Sequence, residues 1–328
     1  MVRFIIRRTL LAVATLLAVS VVSFSLFFAV PSDPARLMCA KDCDAEQINQ
    51  TRENLGLNEP LVTQYSDYMS GIFVGRTIGK GAMAQECDAP CFGYSYRTNE
   101  AVWDMMKGAL PTTVSIAIGA WVIQTSLGVG LGVLAALRRG KFLDKFAVGS
   151  TMFGQAMPTY LLAALLLMIF VYNTGLLSRP TYTSPFENPL AWAGGLILPW
   201  LSLALIGFAG EARMARATML ETLSEDFVRT ARAKGLSKGV VHRKHALRAS
   251  ITPVVTMSGL NIGVLLGGAV ITESVFGLQG LGRLTVQSVE ELNMPIVMAT
   301  VLLAAMFIVI STMIVDFLYA VIDPRVRL

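Results

Sequence analysis

The chain has 328 residues, of which 54% are hydrophobic and 15% charged, and its net charge is +5. With a mean hydropathy of +0.59, it is too apolar and too weakly charged for an ordinary soluble domain, and it is placed in a bilayer.

Six segments are predicted to cross: about 9–30, 110–137, 146–172, 195–217, 251–273 and 296–322, against the roughly 20 residues a spanning helix needs. Three domains follow: 1–30 as amino terminus and first anchor, 31–108 as an extracytoplasmic segment, and 109–328 as the transmembrane core. The first segment follows Arg3, Arg7 and Arg8 as a signal peptide would. Its apolar run is longer than the roughly 7–15 residues of a cleavable core, so a retained anchor is expected.

The 31–108 segment is acidic, with 11 Asp/Glu against 7 Lys/Arg. It holds all four cysteines, as Cys39-x3-Cys43 and Cys87-x3-Cys91. A four-thiolate zinc site or two disulfides fit that spacing, and an oxidising compartment favours disulfides. Three pairings are open. The segment serves either as a rigid cap that seats a binding protein or simply as a stiffened loop. GRTIGKGA at 75–82 lacks the glycine spacing of a phosphate loop and the Ser or Thr after its Lys80.

Further along, Gly128 and Gly132, then Gly259, Gly263 and Gly267, repeat every four residues. Such spacing lets a neighbouring helix backbone approach closely. Pro111, Pro158, Pro199 and Pro253 stand at or near membrane depth and are read as structural. Glu211 and Asp316 are ionisable groups at that depth, where an acid costs roughly 2.5–3.5 kcal/mol. Asp316 is expected to be buried with a basic or hydroxyl partner from the fourth or fifth segment, with Arg213 and Arg216 as candidates and Glu211 in the same cytoplasmic-side cluster. Glu273 precedes the glycine-rich run FGLQGLGRL, which is expected to re-enter or fold over the outer mouth.

Between the fourth and fifth segments lies TLSEDFVRTARAKGLSKGVVHRKHALRASITP, residues 222–253. Thr222 and Glu225 have the spacing of a capping box, and Gly235 can end a helix in the left-handed conformation. Leu223, Phe227 and Ala231 recur every four residues as a narrow apolar stripe. A helix over 223–234 is predicted, suited either to a partner's groove or to resting on an anionic lipid surface. Assigning the amino terminus to the inside puts 18 of the 27 Lys/Arg in cytoplasmic pieces, including loop 213–250. Both termini are expected in the cytoplasm.

The patterns FVRTARAKGLS and HALRASITPVV, with RFIIRRTLLA, TESVFGLQGLGRL and DPRVRL, resemble the permease subunits of ABC importers of the dipeptide, oligopeptide and nickel class. The first, B-type permease of peptide importers is most similar. The usual Glu-Ala-Ala signature ahead of the glycine reads Arg229-Thr230-Ala231 here, a form common in the peptide class. The resemblance implies an all-α, type I importer permease with a coupling loop made of a short helix, a glycine and a second short helix. Leu223, Phe227, Arg229, Thr230, Ala231 and Gly235 would contact the ATPase. Implied partners are a second homologous permease, two ATPase subunits that hold ATP and Mg, an extracytoplasmic substrate-binding protein and the lipid bilayer of a prokaryotic inner membrane.

Catalytic and metal constellations are not found. His242 and His245 lack the intervening Glu of a helical zinc protease, and no G-x-S-x-G occurs. The basic loop lies between spans and lacks interleaved aromatics, which argues against nucleic acid. A self-sufficient secondary transporter would show internal repeats; none is convincing. Import of oligosaccharide or nickel-chelate by the same kind of machine stays open at this point.

Overall fold

The computed structural model describes residues 2–29, 35–36, 44–54, 56–79 and 84–322. Helix α1 spans Val2–Ala29, followed by α2, Ala45–Asn54, and α3, Leu61–Val74. Strands β1, Arg76–Ile78, and β2, Gln85–Cys87, form an antiparallel hairpin with Arg76 opposite Cys87. Then come α4, Val102–Leu137; α5, Phe142–Ala156; α6, Thr159–Leu167, which continues as a wide i→i+5 turn to Asn173; and α7, Pro189–Ser224. The chain closes with α8, Asp226–Ala233; α9, Lys238–Leu266; α10, Val270–Phe276; α11, Leu281–Glu290; and α12, Met294–Ile322.

Among the described residues, five helices are long and apolar enough to cross a membrane: α1, α4, α7, α9 and α12. The third predicted segment, 146–172, is divided. Proline disfavours the helical conformation in the residue before it, and Met157 ahead of Pro158 is extended at φ −87°, ψ 127°. Helices α5 and α6 therefore share that passage. The fifth predicted segment, 251–273, ends early, because α9 stops at Leu266 and Gly268 turns the chain at φ +121°. Glu273 consequently sits on the separate short helix α10.

Helices α4 and α7 form the spine, and glycine makes their approach possible. A Cβ on Gly128 would lie 2.7 Å from Glu211 Cβ, and one on Gly132 would lie 2.5 Å from the Ala212 carbonyl oxygen. Gly259 and Gly263 face Val315 and Ser311 of α12 in the same way, whereas Gly267 meets Ala304 only at 3.5 Å. Trp200 of α7 lies over Gly119 and donates its indole N–H to the Ser115 carbonyl at 2.9 Å. Around it Ile116, Ala120, Leu196, Leu198 and Phe276 close the largest apolar core.

The stretch just before α4 is tied to the bundle. Asn293 donates to Ser95 Oγ at 2.7 Å and accepts from the Tyr96 N–H at 3.1 Å, joining the approach to α4 to the turn before α12. Cys87 and Cys91 form a disulfide that closes a local loop. Cys39 and Cys43 lie outside the described residues, as does the Asp-Pro-Arg-Val-Arg-Leu ending.

Candidate functional site

At one end of the bundle, α7 passes into α8. Thr222 does not cap a new helix: its hydroxyl bonds the Thr218 carbonyl at 2.8 Å within α7, which runs on to Ser224. Glu225, extended at φ −66°, ψ 149°, is the break, and α8 begins at Asp226. The expected helix over 223–234 is thus two pieces, and Leu223 belongs to α7. Helical propensity carries α7 well into the basic segment, so only 225–237 stands outside the long helices.

That shift in the start changes which face of α8 is buried. Val228 and Ala231 turn inward against Val241, with Leu223 packed beside them. Leu223 also touches a second cluster of Ala136, Met219 and Ala246, so the loop core is continuous with the ends of α4, α7 and α9. Phe227 points away and is 45% exposed, in company with exposed Leu236 and Val240. Arg229, Thr230, Arg232, Lys234 and Lys238 are exposed around them. Ala231 therefore belongs to the loop's own core and Phe227 to its surface. The signal for this was the apolar pair Val228 and Ala231, three residues apart, which an every-four reading passes over.

Gly235 ends α8 at φ +77°. Its N–H donates to the Arg232 carbonyl at 3.0 Å. No other group would meet a side chain there, so the requirement for glycine comes from the backbone alone. Beyond it, the resemblance implied a second short helix. In the structure that stretch forms the first turns of α9, which widens to i→i+5 bonding over Val241–Ala246 and continues without a break. His242 and His245 lie in this wide turn.

A bidentate ion pair braces the same end. Arg216 on α7 donates to Asp144 on α5, Nε to Oδ1 at 2.5 Å and Nη2 to Oδ2 at 3.0 Å. The Gly140 N–H adds a third bond at 2.9 Å. These bonds hold the Asp144 carboxyl well below its ordinary value, at about 2. Arg216 is thereby committed to Asp144, and Asp316 pairs instead with Arg8 of α1 at 2.7 Å. The expectation of an Asp316 partnership with Arg213 or Arg216 is corrected: α1 packs along α12, and the basic start of the chain supplies the cation.

Glu211 is also separate from that pair. Fully buried, it accepts from Gln124 Nε2 at 2.8 Å and Asn261 Nδ2 at 3.1 Å, tying α4, α7 and α9 together. One layer away, Trp121 and Thr125 of α4 both bond Ser258 of α9.

At the opposite end, Glu273 organises the glycine-rich run. Its carboxylate is fully buried and accepts from Thr113 Oγ1 at 2.8 Å, from the Arg283 N–H at 2.9 Å and from the Gly282 N–H. Thr113 Oγ1 in turn accepts from the Leu281 N–H at 2.8 Å. The first turn of α11 is capped by a side chain eight residues upstream of Leu281 and by a hydroxyl from α4. A Cβ on Gly280 would fall 2.5 Å from both carboxylate oxygens, so this glycine is needed for close approach. Glu273 is a fastening between α4, α10 and α11, with no face open to a solute. Among the described residues, no group of His, Cys, Asp or Glu is arranged to hold a metal ion.

Comparison with known proteins decides the family. Residues 1–117 match the family model of the amino-terminal part of binding-protein-dependent transport system membrane components, and residues 128–328 match that of the binding-protein-dependent transport system inner membrane component. The chain belongs to this family. It is 33% identical to a putative peptide transport system permease protein of Brucella abortus (strain 2308), covering 100% of this chain and 99% of that protein. It is 36% identical to the glutathione transport system permease protein of Escherichia coli (strain K12), over the same shares. An inward-facing structure of the MetNI methionine ABC transporter aligns with 67% of this chain and 97% of its own, at 15% identity and a TM-score of 0.54, which shows a shared fold. The chain is thus a multi-pass membrane component of an ABC importer, and the reading as a self-sufficient secondary transporter is set aside.

Proposed function

We propose that this chain is the B-type permease subunit of an importer for di- and oligopeptides, and that α8 is its contact with an ATPase subunit. The observation that carries the reading is the pairing of an inward core, Val228, Ala231 and Val241, with an outward apolar set, Phe227, Leu236 and Val240, rimmed by Arg and Lys. A short helix with its own core can be moved as a rigid unit by a partner that grips its outer face. Peptide import is favoured over oligosaccharide or nickel-chelate by the names of the full-length relatives.

In this reading the α8 end is cytoplasmic, as the distribution of Lys and Arg indicates, and the 31–108 segment is outside, facing the substrate-binding protein. A second homologous permease completes the pathway. ATP and Mg are held by the two ATPase subunits, and this chain performs no hydrolysis. Impermeant thiol labelling of single cysteines placed at positions 60 and 238 tests the orientation: labelling of 238 in intact cells would reverse it. The coupling role is tested in proteoliposomes of the assembled importer. Phe227→Ala is expected to insert and assemble but to lose stimulation of ATP hydrolysis by loaded binding protein. Wild-type stimulation with Phe227→Ala and with Leu236→Ala would remove α8 from the ATPase contact.

A further inference from the structure

Helix α3 was left without a role by the sequence, and its surface divides sharply. At about 100° per residue, Tyr68, Leu61, Ile72, Tyr65, Met69, Val62 and Phe73 occupy one continuous arc. Ser66, Ser70, Thr63, Asp67 and Gln64 occupy the other, and Val74 at the last turn is the exception. Only half of the apolar arc is used inside the protein. Tyr65 and Tyr68 pack on Phe24 of α1, and Met69 and Ile72 join them against Met298 and Leu302 of α12. The remaining edge is bare, with Val62 79% and Phe73 76% exposed.

The depth of these contacts identifies what covers that edge. Tyr65 Oη hydrogen-bonds Ser20 Oγ at 2.7 Å. Ser20 lies inside the apolar window Ile5–Leu26 of α1, about 9 Å from its end at 1.5 Å per residue. Met298 and Leu302 lie roughly 6 and 12 Å inside the window Met294–Phe317 of α12. The helix is therefore seated level with the spans and not above them. On α1, the turns that carry Ser20 and Phe24 likewise expose Val21, Val22 and Leu26. Asp67, the only charged residue of α3, is on the polar arc.

We infer that α3 is an interfacial amphipathic helix, lying in the leaflet on the side of the 31–101 segment, with Val62 and Phe73 immersed among lipid chains and Ser66, Ser70 and Asp67 toward water. Its two tyrosines then occupy the depth at which aromatic side chains collect in membrane proteins. The inference rests on the membrane assignment alone and is independent of the direction of transport and of the role given to α8.

Single cysteines replacing Val62, Phe73 or Ser70, in a chain with Cys39→Ser and Cys43→Ser, can be labelled with an environment-sensitive fluorophore. The full importer is then placed in vesicles of phosphatidylethanolamine and phosphatidylglycerol, with lipids carrying a quencher near the headgroup or deep in the acyl chain. Labels at 62 and 73 are expected to emit at shorter wavelength and to be quenched by the headgroup-proximal lipid roughly twofold or more over the label at 70. Iodide in the water should quench only the label at 70. Water-like emission at 62 and 73 would overturn the proposal. So would shielding from both lipid and iodide, which would assign the edge to the second permease, or shielding that appears only when binding protein is added, which would assign it to that partner.

Discussion

The two ends of the bundle treat their polar and apolar groups in opposite ways. At the α10–α11 hairpin, the Glu273 carboxylate, the Thr113 hydroxyl and three backbone N–H groups satisfy one another in a buried knot. Around α8, Phe227, Leu236 and Val240 are left exposed among mainly basic side chains, of which Arg229 pairs with Asp226, while the loop keeps only a small core of its own. The first arrangement fixes position, because a buried unpaired donor costs about 1–3 kcal/mol. The second gains little within this chain from its exposed groups, and so points to a surface that becomes complete on contact.

Substitutions should separate the two ends, and the largest expected effect is at Glu273. Glu273→Ala strands three donors and should lower stability by about 3 kcal/mol or more, read as an earlier thermal transition of the detergent-solubilised protein. Glu273→Gln keeps an acceptor oxygen and should recover part of that loss. Unchanged thermal behaviour of Glu273→Ala would show that the knot does not hold the hairpin.

Next in size is the brace behind α8. Asp144→Ala leaves the half-buried Arg216 guanidinium unpaired and should cost about 1–3 kcal/mol. Because the Asp144 carboxyl titrates at about 2 in the folded protein rather than 3.8, its contribution is fully present above the unfolded value and lost as pH falls through the folded one. Between about pH 5 and 8 the contribution of this pair should then be constant, so thermal stability should show no pH dependence from it. A transition that moved with pH in that window in the wild type, and not in Asp144→Ala, would contradict the assignment.

Gly235→Val is expected to cost about 1–2 kcal/mol, entirely from the positive φ, because the surrounding space is open. Gly235→Asn should cost less, since asparagine tolerates that region. Equal losses for the two would mean that something other than the backbone conformation is at stake. Smallest of all should be Phe227→Ala, within about 0.5 kcal/mol of wild type, so that a transport defect in it cannot be ascribed to unfolding. Ala231→Asp gives no such separation, because it puts a charge among Val228 and Val241.

Much of this was legible from residue patterns. Apolar length located α1, α4, α7 and α12, and small-residue spacing marked the faces where α4 meets α7 and α9 meets α12. Two of the span boundaries failed for local reasons: Met157 yields to the proline after it, and Gly267 and Gly268 stop α9 ahead of Glu273. The partner of Asp316 was not legible, because nothing in the order of the segments says that the first helix lies along the last. Nor was the Gln124, Glu211 and Asn261 cluster, whose members come from three helices and share no spacing. At α8, a one-turn error in the start moved Ala231 from the expected contact surface into the core.

Helix α7 has a mechanical consequence of its own. Its 36 residues make a rod about 54 Å long at 1.5 Å per residue, joined to α8 at one end and carrying Trp200 and Pro199 toward the other. A tilt of roughly 5° about one end would carry the other through about 5 Å at that length. Gly128 and Gly132 leave α4 almost no clearance against this rod. A small angular push at α8 therefore has a stiff lever to act through, and α4 must turn with it or the polar tie through Glu211 must part.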